Sequence, residues 1–304
     1  MFGHLLVPLD GSTLAEAVLP VAEALARCLN ASITLLHVLE HNAPARVHGE
    51  RHLCDPQEAQ GYLGGVLERL RAKGFSAQCH VHEVPEGDVA RSIVQHAEEL
   101  ANDLVLLSTH GRGGMRDLLV GSIAQQVLTN GTRPVLVVHP GAVPDPFGLG
   151  RLAVPLDGTA RHEHSLPVAW ALARACGASV HLVTAVPTPA ELAVEQGAAG
   201  RMLPLTTAAR LDIEEQEAQR YLREVARTAP GVSVFLHVRR GDPAGELIAC
   251  FREIRADLAV VATHALKRWD AFWAGSVTPR LLSQWRRPVL LVRATEAPQD
   301  GRQM

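Results

Sequence analysis

Apolar and polar positions along this chain alternate between two periods. Leu5–Pro8 is a continuous apolar run, expected of a strand covered on both faces. Thr13 with Glu16 resembles a capping box opening a helix through about Leu29, and Pro20 predicts a kink there unless the helix begins later. The pattern then predicts a strand over Ile33–Val38, a helix over Gln57–Lys73 ending near Gly74, and an alternating strand over Ala77–Val84. A helix over Val89–Leu100, a strand over Leu104–Ser108, a helix over Ile123–Leu128 and a strand over Val135–His139 complete the series. Strands alternating with helices predict parallel βαβ units in a doubly wound α/β sheet. Ligands of such sheets sit at the carboxyl ends of the strands, at a switch point. Asp10 and the segment after Leu107 both fall at such ends.

The pattern occurs twice. Leu5-Leu6-Val7-Pro8-Leu9-Asp10-Gly11-Ser12 returns as Leu152-Ala153-Val154-Pro155-Leu156-Asp157-Gly158-Thr159, and Ala24-Leu25-Ala26-Arg27 returns as Ala171-Leu172-Ala173-Arg174. Gly87-Asp88 matches Gly241-Asp242, Asp103-Leu104 matches Asp257-Leu258, and Arg133-Pro134-Val135-Leu136 matches Arg287-Pro288-Val289-Leu290. At roughly 150 residues per unit this is a duplicated domain and not a solenoid. We divide the chain into a first domain, 1–140, a Pro/Gly-rich linker, 141–150, a second domain, 151–294, and a polar tail, 295–304.

Composition narrows the function. Of the 304 residues, 47% are hydrophobic and 20% charged, which is globular. A net charge of −3 offers no broad attraction for nucleic acid or anionic membrane. No apolar run is long enough to span a bilayer and no secretory signal precedes the first strand, so a cytoplasmic protein is expected. The five cysteines lack CxxC spacing and read as reduced thiols.

The richest chemistry lies in Ser108-Thr109-His110-Gly111-Arg112-Gly113-Gly114-Met115, running on to Gly121-Ser122. A glycine-rich loop between a strand and a helix start presents open backbone N–H groups, an anion cradle suited to phosphate. Ser122 is a good N-cap, with Gln125 at capping-box spacing. Arg112 and Arg116 either add positive charge to the phosphates or are solvated loop residues. No GxxxxGK[ST] is present, and the first copy's lone lysine, Lys73, falls at a helix end away from the loop. Asp10-Gly11-Ser12 also lacks the dinucleotide fingerprint, so a mononucleotide is expected.

These residues carry a resemblance. The chain resembles a tandem universal stress protein, of the adenine-nucleotide α-hydrolase-like superfamily, over both halves. ATP-binding members show G-x2-G-x9-G-[S/T]; the first copy reads Ser108-x2-Gly111-x9-Gly121-Ser122, departing at Ser108. The resemblance implies a five-stranded parallel sheet in each domain, ordered 3-2-1-4-5, with helices on both faces. It implies an adenine nucleotide, ATP or AMP or ADP, with Mg2+. Its site residues would be Pro8, Leu9, Asp10, Val38, Ser108, Gly111, Arg112, Gly114, Gly121, Ser122 and Ile123. It further implies an internal pseudo-dimer of the two copies through their last strands or adjoining faces; a homodimer is left open.

The second copy departs further, reading Ala262-x2-Ala265-x9-Gly275-Ser276 with Ala185 in the place of Val38. Its loop carries Lys267, Arg268, Trp269, Phe272 and Trp273; the aromatic residues either fill the nucleotide's space or the domain interface, or form a different pocket. The expectation is one nucleotide per chain, in a stress or signalling protein, the second domain being structural or regulatory. A nucleotide-free scaffold and a slow ATPase are the alternatives; with no lysine at the loop and no recognisable base, an enzyme is disfavoured. His41, His48, His52, Cys54 and Asp55 are either a metal site or solvated residues. His80 with His82, and His162 with His164, read as surface histidines.

Overall fold

The computed structural model describes residues 2–40, 46–47, 50–51, 53, 55–84, 88–109, 122–186, 188, 204–263 and 277–294. The first copy runs β1 (His4–Pro8), α1 (Thr13–Glu16), α2 (Leu19–Leu29), β2 (Ser32–Glu40), a short antiparallel pair β3 (Arg46–Val47) and β4 (Glu50–Arg51), α3 (Pro56–Ala72), β5 (Ala77–Val84), α4 (Val89–Glu99), β6 (Leu104–Ser108), α5 (Ser122–Asn130) and β7 (Val135–Val138). The second runs β8 (Arg151–Pro155), a 3-10 turn (His162–Ser165), α6 (Leu166–Cys176), β9 (Ser179–Val186), α7 (Pro204–Arg227), β10 (Val234–Arg240), α8 (Pro243–Glu253), β11 (Leu258–Thr263), α9 (Val277–Gln284) and β12 (Val289–Arg293).

The helix expected from Thr13 to Leu29 is two helices. Ser12, not Thr13, is the N-cap of α1, its side chain accepting from Ala15 N. The chain then restarts with Pro20 in the first turn of α2, where its missing N–H is harmless. Asn30, at φ 53°, and its repeat counterpart Gly177, at φ 66°, close α2 and α6 in the left-handed conformation that ends many helices.

Each copy has the order 3-2-1-4-5: β5-β2-β1-β6-β7 in the first and β10-β9-β8-β11-β12 in the second, every neighbour within a copy parallel. The two sheets join edge to edge into one of ten strands. β7 and β12 pair antiparallel, with Val137 opposite Val289, Leu136 opposite Leu290 and Val135 opposite Leu291. Arg293 reaches across the join to donate to Gly131 O at 2.8 Å. The internal pseudo-dimer therefore forms through the last strands, and closing this edge removes two rows of unpaired backbone groups. α2 and α6 also pack together, and burial pushes the Cys176 thiol up beside Cys28 on the facing helix.

The sheet divides the core in two. One face buries Leu5, Val7, Leu35, Leu136, Val154 and Leu290 in a single cluster; the other buries Leu6, Val105, Ala153, Phe251 and Leu291 in a second. Both clusters run through both copies. Asp103 and Asp257 brace the repeat identically: Asp103 Oδ2 accepts from Gly3 N (2.7 Å) and His4 N (3.1 Å), and Asp257 Oδ2 from Gly150 N and Arg151 N (both 2.9 Å).

Candidate functional site

In the first copy the strand order reverses between β1 and β6, which lie side by side with Leu5 opposite Leu104. Parallel strands so arranged open a crevice at their carboxyl ends. Pro8, Leu9 and Asp10 come to it from β1, Val38 from β2 and Ser108 from β6.

Asp10 follows β1 and is held from its own chain: Oδ1 accepts from Ser12 N (2.9 Å) and from Ser12 Oγ (2.6 Å). The Ser12 hydroxyl then accepts from Ala15 N at 3.1 Å, linking the carboxylate to the start of α1. Between them Gly11 takes φ +91°, and a Cβ there would meet Leu53 Cδ1 at 2.7 Å, so glycine serves both the turn and the close approach. Leu53 lies over this turn in a small cluster with Leu39 and Ala59. Leu9 is buried; its N–H donates to Leu36 O (2.8 Å), and its carbonyl accepts from His37 Nδ1 (2.6 Å). His37 is a site-supporting residue that the sequence reading passed over. Its signal was a polar ring between the apolar Leu36 and Val38, and Thr184 fills the same role in the second copy, donating to Leu156 O at 2.9 Å.

Ser108, the departure from the family pattern, donates its hydroxyl to Leu14 O at 2.7 Å. The extra side chain thus ties the end of β6 to α1. Val38 is half-buried against the core, opposite His82 of β5. Ile123 packs its side chain against the same core, leaving its backbone near the start of α5. α5 opens at Ser122, whose side chain is outside the described residues, as are Gly111, Arg112, Gly114, Arg116 and Gly121. Gln125, expected to complete the capping box, is buried, and its Nε2 has no partner among the described residues.

The second copy handles its aspartate differently. Asp157 Oδ1 accepts from Thr159 N (2.9 Å) and Oγ1 (2.7 Å), repeating the Asp10–Ser12 turn, but it also pairs with His162 Nδ1 at 2.7 Å. Burial disfavours the charged carboxylate, but the His162 and Thr159 contacts outweigh it and hold the pKa at about 2. In the repeat, His162 stands where the first copy has Ala15. We expect His162→Ala to raise the Asp157 pKa from about 2 toward the ordinary value of about 3.9. Carboxyl NMR titration measures this, and an unmoved pKa would show that Thr159 alone sets it. A depressed folded-state pKa adds stability above the ordinary carboxylate value and loses it as pH falls toward the folded one. Because about half the Asp157 side chain is exposed, that gain is small.

Of the remaining candidates, Trp170 and Trp285 are core residues, and Trp285 meets Phe251 edge to face at 5.5 Å. Lys267, Arg268, Trp269, Phe272 and Trp273 lie outside the described residues, as do His41, His48, His52 and Cys54; Asp55 caps α3, accepting from Gln57 N and Glu58 N. His80 is exposed and His82 half-buried, and α4 brings the buried His96 against both rings. Among the described residues no helix is long and apolar enough to cross a membrane.

Comparison with known proteins agrees with this architecture. The model of the universal stress protein family matches residues 1–139 and again 149–293. Universal stress protein A homolog 1 of Coxiella burnetii is 31% identical over 144 residues, covering 45% of this chain and 96% of that protein. A universal stress protein of Mycolicibacterium smegmatis is 25% identical over 317 residues, 95% of this chain and 96% of its own. A universal stress protein from Archaeoglobus fulgidus has the same fold, with a TM-score of 0.68 at 16% identity over 96% of this chain and 97% of its own. With both copies matched and each sheet in the order 3-2-1-4-5, the chain belongs to the universal stress protein family, in its tandem two-domain form.

Proposed function

We propose that the first domain binds an adenine nucleotide, ATP or AMP or ADP with Mg2+, and that the second is structural or regulatory. The observation that carries this reading is the place of Asp10, which Ser12 orients at the carboxyl end of β1, beside the β1–β6 switch point. In the second copy the matching aspartate, Asp157, is paired with His162, where the first copy has Ala15. An ionised Asp10 only accepts hydrogen bonds, which suits the hydroxyl and amino donors of a nucleoside and not its phosphates. Phosphates belong at the open N–H groups of the glycine-rich loop and the α5 start, for which Gly111, Gly114, Gly121 and Ser122 are our candidates. Bound Mg2+ would neutralise part of the phosphate charge. The nucleotide would bias association with partner proteins, or of two chains, in the cytoplasm.

Calorimetry of the full chain with ATP and Mg2+ tests this. One saturable site is expected. Gly121→Val should weaken it by about 100-fold, the equivalent of losing one or two hydrogen bonds to a charged group. Wild-type protein with no saturable binding and no copurified nucleotide by native mass spectrometry would overturn the proposal.

A further inference from the structure

β5 is an edge strand of the ten-stranded sheet, and α4 packs against one of its faces. His80 and His82, two residues apart, share that face. α4 turns His96 toward them from the helix side. The ring centroids of His82 and His96 are 4.6 Å apart, and those of His80 and His96 are 5.0 Å apart. One ligand nitrogen from each of the three rings lies within 4.8 Å of the others.

The geometry of this cluster suits a cation. His96 is buried, and its Nδ1 donates to the carbonyl of Ser92, one helical turn earlier, at 2.8 Å. A carbonyl only accepts, so Nδ1 is the donor and Nε2 is the ring atom left to ligate. A backbone carbonyl holding the other ring nitrogen is how metal-binding histidines are commonly oriented. A tetrahedral site with metal–nitrogen bonds of about 2.0–2.1 Å needs nitrogens about 3.3 Å apart. Side-chain rotation of His80, which is exposed, and His82, which is half-buried, supplies the closure.

The second copy provides an internal contrast. Leu36 and Val183 occupy one place in the repeat; His80 pairs with the first and His237 with the second, which puts Arg239 where His82 stands. Along the helices, Cys250 takes the place of His96. Arg239 is paired with Glu253, so a fixed guanidinium stands at the position of a ligand.

We propose that His80, His82 and His96 bind one divalent transition-metal ion of the zinc class, with the remaining coordination position open to solvent. The three-nitrogen donor set excludes Mg2+ and Ca2+, which require oxygen. The ion would staple the edge strand β5 to α4.

The test uses the full chain and two probes. Zn2+ affinity is measured by competition with a chromophoric chelator, and Co2+ by its visible absorption, which reports four-coordinate geometry. One ion per chain is expected. His82→Ala and His80→Ala should each weaken binding by more than the roughly 10–100-fold that loss of an outer-shell partner costs. Both should also remove the Co2+ bands, with His4→Ala unchanged. Because His96 is buried, His96→Asn is read alongside far-UV circular dichroism, and the two strand variants carry the conclusion if it misfolds. Absence of binding, or affinity unchanged in both strand variants, overturns the proposal.

Discussion

Replacing Phe251 with alanine is expected to lower the unfolding free energy by about 3–5 kcal/mol, the usual cost of removing a buried phenyl ring. Phe251 is fully buried on α8, and it packs edge to face on Trp285. Its neighbours are fixed by the sheet, so the cavity has little means of collapse. Urea unfolding followed by tryptophan fluorescence measures the loss. All four tryptophans lie in the second copy, so fluorescence reports that half, while circular dichroism reports both. The cluster around Phe251 includes Leu6 and Val105 of the first copy, so the two signals should shift together. A shift below about 1 kcal/mol would contradict the close packing. A circular dichroism transition that stays in place while fluorescence moves would contradict the shared core.

A larger effect is expected at the join. Leu290 of β12 lies opposite Leu136 of β7, and both are wholly buried. Leu290→Asp places a carboxylate there, in the cluster that runs through both copies. Burying an unpaired charge costs several kcal/mol beyond the loss of the leucine, and the group answers by raising its own pKa. We expect no cooperative transition at neutral pH, with partial recovery as acid protonates the aspartate. The sign follows from linkage: a carboxyl with a raised folded-state pKa destabilises most above that pKa and least below its ordinary value. A urea midpoint equal to wild type would show that this position is not buried in solution.

Much of this protein was readable from local pattern. A strand such as Leu104–Ser108 is apolar up to its last residue because helices cover both faces, and it appeared as a continuous run. The alternation over Ala77–Val84 marked β5 as different, and it is the edge strand. Pro20 flagged a break, but the break is the gap between two helices, because Ser12 caps the first and Pro20 suits the opening of the second. The candidate site was half readable. Asp10 stood out by recurring as Asp157, yet nothing local distinguished an aspartate oriented by Ser12 from one paired with His162.

The sequence by itself determined the duplication, the α/β class and the strand-end positions of Asp10 and Ser108, because each depends on periodicity or on residues close along the chain. Only the tertiary structure decided three things. It joined the two sheets through β7 and β12, a pairing of segments more than 150 residues apart. It turned Ser108 toward Leu14, making a departure from the family pattern into a tie between β6 and α1. And it brought His96 against His80 and His82, which a strand-to-helix crossover separates in sequence. Contacts of that kind are set by how helices pack on the sheet, and no local period encodes them.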